Sequence, residues 1–449
     1  MNNSRRKAIK RLTLAGIAMP ALSLLPTRVG GENPSPSNTN EMLKTLFLER
    51  SKAVFPETKN NREYLHRHPE LSHEEHDTVR WLADKLRSYG LTEVQTGELG
   101  VGVLAIIQGK KPGKSGVVAL RADIDALKID EASNVPYCSE INDKMHACGH
   151  DYHSSCLLSA AKILHDTRSE WGGVIKLLFQ RGEEAAHPVL KKNGAVLALE
   201  HGLLADPKPT AIFGQHVSPE LPFGTVGFFR TGEIGSMAAC DTFWLTVSGT
   251  GGHGARPHRG IDPVPVAAQI VLALQTIVSR RTDPNSPCVL SVGEFITVGG
   301  SANVLAKKVN MRGTLRTFDP EFKTRILKEI KTMIEAIAAA NHTTASFDSL
   351  QNTIALTNDP ALNDRTRAAA KLFLGEENVQ EAERRTGGED FCYYATAGLA
   401  TCFWRIGTGD PKNGQYTSDL HTDTFDVHPE SMRLAPGLLA WLAVCELGN

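Results

Sequence analysis

Val117-Val118-Ala119-Leu120-Arg121-Ala122-Asp123-Ile124-Asp125 passes from a short apolar run directly into an arginine and two carboxylates. A run of this kind reads as a buried strand, and its polar end as the place where a site begins, since ligands of α/β sheets gather at the carboxyl ends of strands. Strand alternation puts Asp123 and Asp125 on one face, where they repel unless a cation or a donor sits between them. Working outward, apolar runs at Val101–Gln108, Val174–Gln180 and Ala211–Gly214 alternate with helical patterns over Ser154–His165 and Val189–Glu200. Upstream, Glu41–Leu86 is helical with a break at Pro69. The alternation predicts an α/β fold, with a mixed, mostly parallel sheet flanked by helices.

The order changes between Met237 and Asp348. Thr242–Ser248 reads as a strand, Pro263–Arg280 as a helix, Val289–Val298 and Val309–Thr317 as strands, and Glu321–Ala340 as a long amphipathic helix. This βαββα pattern predicts a small α+β domain inserted over residues 237–348, splitting a larger domain into residues 41–236 and 349–449.

The 449 residues exceed one ordinary domain, and 41% hydrophobic with 22% charged residues excludes a wholly disordered or multispanning chain. Forty-nine basic against fifty acidic side chains leave no global basic field for nucleic acid, so a small molecule or peptide is the expected partner. Eight cysteines are too dilute for a disulfide scaffold but leave room for a thiolate metal ligand. Residues 1–40 read as export signal and linker. Arg5-Arg6 precedes an apolar run from Leu12 to Leu25 that is too short for a stable membrane span, which needs about 20 residues. The paired arginines resemble a twin-arginine signal and predict export, to the periplasm.

Chemistry is densest at His146-Ala147-Cys148-Gly149-His150-Asp151-Tyr152-His153. Three imidazoles, a thiol and a carboxylate are costly to bury unless something satisfies them. Thiolate with imidazole suits zinc and its neighbours, although a polar helix-capping loop also accounts for the cluster. After the strand Val174–Gln180 come Glu183 and Glu184; one could ligate a metal while the other holds a water, or both could be a solvated pair. His216 follows another strand, and His421 arrives late; either alone reads as an ordinary histidine.

Taken in order, H-A-C-G-H-D, R-A-D-x-D, F-Q-x-x-E-E, G-x-H, G-x-G-G-H with a following P-H, N-V, G-T-x-R, G-x-E-D-F and the late L-H resemble the metal-dependent N-acyl-amino-acid amidohydrolases. That family includes hippurate hydrolase and indole-acetyl-amino-acid hydrolase and is related to aminoacylase and glutamate carboxypeptidase. The series spans Tyr64 to the C-terminus, and Leu65–Ser72 is similar to the family's opening motif.

The resemblance implies a metallopeptidase-like catalytic domain and an inserted lid that carries a homodimer contact. It implies two divalent metal ions, zinc or manganese with cobalt and nickel also accepted, held by Cys148, His150, Glu184, His216 and His421. Glu183 would be the general base for a metal-activated water. Asp125 would orient a ligand, with Asp123 beside it, and His253 would reach a partner's site to stabilise the oxyanion. Asn303 and Arg316 would hold the substrate carboxylate. The implied reaction is hydrolysis of N-acyl amino acids; the alternatives are a carboxypeptidase or dipeptidase acting on unblocked peptides, and a binding relative without catalysis. The chain departs from the family at Lys128, Arg181-Gly182, Leu305-Ala306 and the segment Ala186–Asn193, which reads as an insertion. Arg181 and Lys128 either favour an acidic substrate group or are simply solvated.

Overall fold

The computed structural model describes residues 36–97 and 101–448; the Arg5-Arg6 leader lies outside them. Helix α1 (Pro36–Arg67) begins inside the stretch read as linker. The chain breaks at Pro69 and resumes in α2 (His76–Ser88). Strands β1 (Val94–Thr96) and β2 (Val103–Gln108) lead to β3 (Val117–Asp123), then α3 (His150–Asp166) and β4 (Val174–Gln180). Helix α4 (Gly194–Glu200), β5 (Ala211–Pro222) and β6 (Val226–Phe229) follow.

Several bounds differ from expectation: β5 runs on past Gly214 to Pro222, β2 starts two residues late, and two helix starts move. Helix α3 starts four residues early, at His150, because Gly149 takes the left-handed conformation at its N-cap (φ 85°). A Cβ on Gly149 would also stand 2.5 Å from Val217 Cγ2, so glycine is required there on two counts. Helix α4 starts late, at Gly194. The residues ahead of it form a tight turn in which the Val189 and Leu190 amides donate to His187 Nδ1, leaving Val189 exposed.

A second sheet is built from β7 (Ala239–Ser248), β9 (Cys288–Val298), β11 (Lys308–Thr317) and β12 (Thr344–Thr353), in the order β12-β7-β11-β9 and antiparallel throughout. It is backed by α5 (Pro263–Thr276) and α6 (Pro320–Ala340), whose Ile270, Leu274, Ile326, Ile330 and Ile334 are buried against it. Pro263–Arg281 is apolar and long enough to cross a membrane by composition, yet this buried stripe serves the small core. Strand β12 runs past Asp348, because its pairing along β7 continues to Thr353. Strands β8 (Gly252–His253), after β7, and β10 (Val304–Leu305), between β9 and β11, form a separate two-stranded ribbon.

The chain then rejoins the first sheet through α7 (Pro360–Leu374), β13 (Val379–Ala382), β14 (Ala400–Gly409) and α8 (Ala435–Glu446). That sheet has eight strands in the order β1-β2-β4-β3-β5-β14-β6-β13. Pairings β3/β4, β3/β5, β5/β14 and β6/β13 are parallel, and the remaining three are antiparallel. The expected mixed, mostly parallel sheet with flanking helices is therefore present. Its parallel centre directs the carboxyl ends of β3, β4, β5 and β14 to one edge. All eight cysteines are free.

Candidate active site

Each element at that edge delivers polar side chains. Strand β3 ends on Asp123, the loop after β4 carries Glu183 and Glu184, β5 carries His216, and the turn into α3 carries Cys148 and His150. Cys148 Sγ lies 3.4 Å from His216 Nε2 and 3.3 Å from His421 Nε2. Glu184 Oε1 lies 3.3 Å from His421 Nε2 and 3.9 Å from His150 Nε2. Sequence positions more than 270 residues apart thus converge. His421 holds its place with a left-handed backbone (φ 62°) and an amide that donates to the Ala147 carbonyl.

The imidazoles are oriented before any ligand arrives. His216 Nδ1 is 2.9 Å from the Val217 carbonyl, and His150 Nδ1 is 2.9 Å from the Asp125 carbonyl and 3.1 Å from its Oδ1. Both rings therefore carry the proton on Nδ1 and turn Nε2 inward. His150 Nε2 and Glu184 Oε1 are buried without a hydrogen-bond partner. Orphaned acceptors beside a buried thiol fit a divalent cation, and the thiol, imidazole and carboxylate set suits zinc or a neighbouring transition ion.

The electrostatics agree with that fit. Burial, then Glu184 and Glu183, push the Cys148 thiol well above its usual range. Burial, then Glu389 and Glu184, push the Glu183 carboxyl well up. Burial opposes charge on His150, but Asp123, Asp125 and Glu184 outweigh it and lift the ring to about 10. Negative charge is in excess here, as a cation site requires.

His150 sits between the two aspartates: its Nδ1 donates to Asp125 Oδ1 at 3.1 Å, while its Nε2 stays 3.8 Å from Asp123 Oδ2, beyond hydrogen-bond reach. Asp125 also accepts from the Ser72 hydroxyl and the Glu184 amide, so it ties the α1–α2 connection, α3 and the acidic loop together. Asp123 accepts from His153 Nδ1 at 2.6 Å, while the Val217 amide donates to His153 Nε2. Both nitrogens of His153 are thereby committed. His146 is buried elsewhere, with both nitrogens unpartnered, and burial brings it down to about 4. Of the three imidazoles in the motif, only His150 faces the cluster.

Sequence reasoning missed the support beneath Glu183. Arg121 is buried and reaches Asp123 at 2.6 Å, Asp390 at 2.8 Å and Glu389 at 3.1 Å. The Asp390 amide donates to Glu183 Oε1 at 3.3 Å. G-x-E-D-F was visible as a motif, but its acidic pair had no assigned role.

A cleft of about 720 Å³ opens above the cluster and is lined by both sheets. Cys148, Glu183, His216 and His421 lie on one wall, with Arg316 and Trp244 on the other. His253 and Asn303 do not join them. His253 pairs with Val304 on the exposed β8/β10 ribbon, and just beyond it the Gly254 amide donates to the Asn303 carbonyl. Arg181 is bound to Glu75 at 2.7 Å and the exposed Lys128 to Asp143 at 3.3 Å, so neither is a free cation for an acidic substrate.

Comparison with known proteins decides the family. The description "Peptidase family M20/M25/M40" matches residues 119–439. The chain belongs to peptidase family M20. It is 36% identical to the N-acetylcysteine deacetylase of Bacillus subtilis over 389 residues, covering 86% of this chain and 96% of that protein. It is 33% identical to the IAA-amino acid hydrolase ILR1-like 2 of Arabidopsis thaliana over 429 residues, covering 94% and 93%. Among solved structures, the YXEP protein of Bacillus subtilis, described as a dinuclear metal binding peptidase from the M20 family, superposes with a TM-score of 0.74 at 32% identity. That superposition covers 88% of this chain and 99% of that one. This M20 chain is accordingly a hydrolase of a metal-dependent amidohydrolase family, and its residue groups able to hold a metal include Cys148, Glu183, Glu184, His216 and His421, which line the cleft.

Proposed function

We propose that this M20 protein hydrolyses N-acyl amino acids to a carboxylic acid and a free amino acid. The observation that carries the reading is the convergence of Cys148, His150, Glu184, His216 and His421, with Glu183 beside them on the cleft wall. The names of the deacetylase and IAA-amino acid hydrolase relatives support the substrate class.

Those five side chains would hold two divalent ions, zinc or manganese. When bound, the ions supply the Lewis acidity that makes water nucleophilic near neutral pH and polarises an amide carbonyl. Glu183 accepts the proton of the attacking water on a carboxylate oxygen and delivers it to the leaving nitrogen. The Asp390 amide fixes which way that carboxylate faces. Asp125 holds His150, and Arg316 offers a fork to the substrate carboxylate from the facing sheet. His253, exposed on its ribbon, serves the oxyanion of a second copy in a homodimer, with Asn303 beside it. The small sheet is the lid and dimer element, and the Arg5-Arg6 leader supports export to the periplasm.

Metal analysis of the purified protein, coupled to a hydrolysis screen, tests the reading. Two ions per chain and cleavage of hippurate, N-acetyl or indole-acetyl amino acids are expected. A fully loaded protein that cleaves nothing, or cleaves only unblocked dipeptides, overturns it.

A further inference from the structure

Four arginines line the cleft: Arg312, Arg316, Arg385 and Arg405. Arg312 pairs with Glu294 and Arg385 with Glu220. Arg405 differs from them all. It is only 3% exposed, and among the described residues its one side-chain hydrogen bond runs from Nη2 to the Val217 carbonyl. Its Nε is buried without a partner, as is that of Arg385. Strand β14 sets Arg405 directly opposite His216 of β5 in the parallel ladder, so the guanidinium stands next to a proposed metal ligand.

A buried guanidinium is costly without a counter-ion. The nearby carboxylates are already committed: Glu220 accepts from Arg385 and the Ser218 hydroxyl, and Glu389 faces Arg121 and the Phe391 amide. The guanidinium keeps its charge at neutral pH, as arginine does in proteins. Two guanidinium groups thus line the wall of a polar cleft together, and Arg405 has no ion pair among the described residues. The arrangement suits an incoming carboxylate, which an arginine fork binds through parallel N–H donors.

We propose that Arg405, assisted by Arg385, forms an anion subsite for a second carboxylate on the substrate, so that N-acyl amino acids carrying two carboxylates are preferred. This rests on the amidohydrolase reading and deepens it. The first carboxylate falls to Arg316, which has no ion pair among the described residues. The second belongs either to an acidic amino-acid side chain or to a dicarboxylic acyl group.

The test compares kcat/KM of the metal-loaded enzyme for N-acetyl-L-leucine, N-acetyl-L-glutamate and N-succinyl-L-leucine. Alongside, calorimetry measures glutarate against butyrate binding. One of the two dianionic substrates is expected to exceed N-acetyl-L-leucine by about ten-fold or more, on the scale of one charge-assisted bidentate contact. Whichever it is identifies the side that bears the second carboxylate. Arg405→Met and Arg385→Gln should each collapse that ratio, chiefly through KM, with Arg405→Lys restoring part of it.

N-acetyl-L-leucine equal to both dianions, with glutarate binding no tighter than butyrate, overturns the subsite and leaves the hydrolase reading standing. A glutarate preference lost in Arg405→Met, in a protein that cleaves no N-acyl amino acid, sinks the hydrolase reading and retains the subsite.

Discussion

Asp125 Oδ1 stands 3.1 Å from His150 Nδ1, and the same carboxylate accepts from Ser72 and from the Glu184 amide. One side chain therefore aims two of the proposed ligands. Loss of such an orienting partner typically costs about 10–100-fold in metal affinity. Asp125→Ala should lower affinity by that amount in a competition titration against a chelator, with the fold intact by circular dichroism. Unchanged affinity would remove Asp125 from this role.

Loss of Glu183, the proposed general base, should separate chemistry from binding. Glu183→Gln keeps the volume and the acceptor for the Asp390 amide but cannot take a proton. Proton transfer by a positioned side chain is worth about 10²–10⁴ in rate, so kcat should fall by that factor. Metal content and the affinity for a product carboxylate should hold. Near-normal turnover would assign the base elsewhere.

His253 lies on the exposed β8/β10 ribbon and does not line its own chain's cleft. If it serves a second copy, His253→Ala should cost about 10²–10³ in kcat with metal retained, the usual loss for one oxyanion donor. Mixing His253→Ala with Glu183→Gln protein then regains activity, because one site of each mixed dimer has both groups intact. Absence of any recovery after verified subunit exchange would place His253 outside the reaction.

Legibility in the sequence followed how locally each signal was written. Val174–Gln180 matched its strand residue for residue, since a fully buried strand declares itself by a continuous apolar run. Strand β12 was invisible because Thr344–Thr353 is polar and its stability comes from pairing with β7. Helix α4 was overextended because Val189 and Leu190 look apolar, whereas His187 folds them into a turn. At the site, the motifs named in advance the side chains that converge on the cleft: Cys148, His150, Glu184, His216 and His421. The roles of Arg121 and Asp390 were not legible: they meet across 269 positions, and no spacing rule encodes that contact.

Beneath the site, Arg62 Nε lies 2.7 Å from Asp151, which also meets His66 at 2.8 Å, all buried. Asp151→Asn leaves Arg62 with Asp426 alone and should cost about 3 kcal/mol, the lower end for breaking a buried pair. The pH dependence has two limbs. Burial opposes ionisation of Asp151, but Arg62 and His66 outweigh it and hold its pKa far down. That stabilisation is present above the unfolded value of about 3.9 and is lost as pH falls through the folded one. Burial and Arg62 oppose protonation of His66, yet bonds to Asp151 and Glu131 raise it. Its contribution is full below about 6.5 and lost as pH rises through the folded value. The gap in Tm between wild type and variant should therefore be widest between about pH 4 and 6.5. A gap independent of pH would refute the ionic account.

Removing the ions should destabilise the protein as well as silence it. Without them, Cys148 is held as a thiol by burial and by Glu184, and Glu183 is driven towards its protonated form by burial and Glu389. Rebinding must then expel protons from groups the fold has already aimed at one point. Ligand at about 1,000 times its Kd adds about 4 kcal/mol per site, so chelation should lower Tm by several degrees and zinc or manganese should restore it. Proton release on rebinding, read from calorimetry in buffers of different ionisation heat, should track the thiol and diminish in Cys148→Ser. A Tm indifferent to verified metal removal would mean that these side chains satisfy one another without an ion.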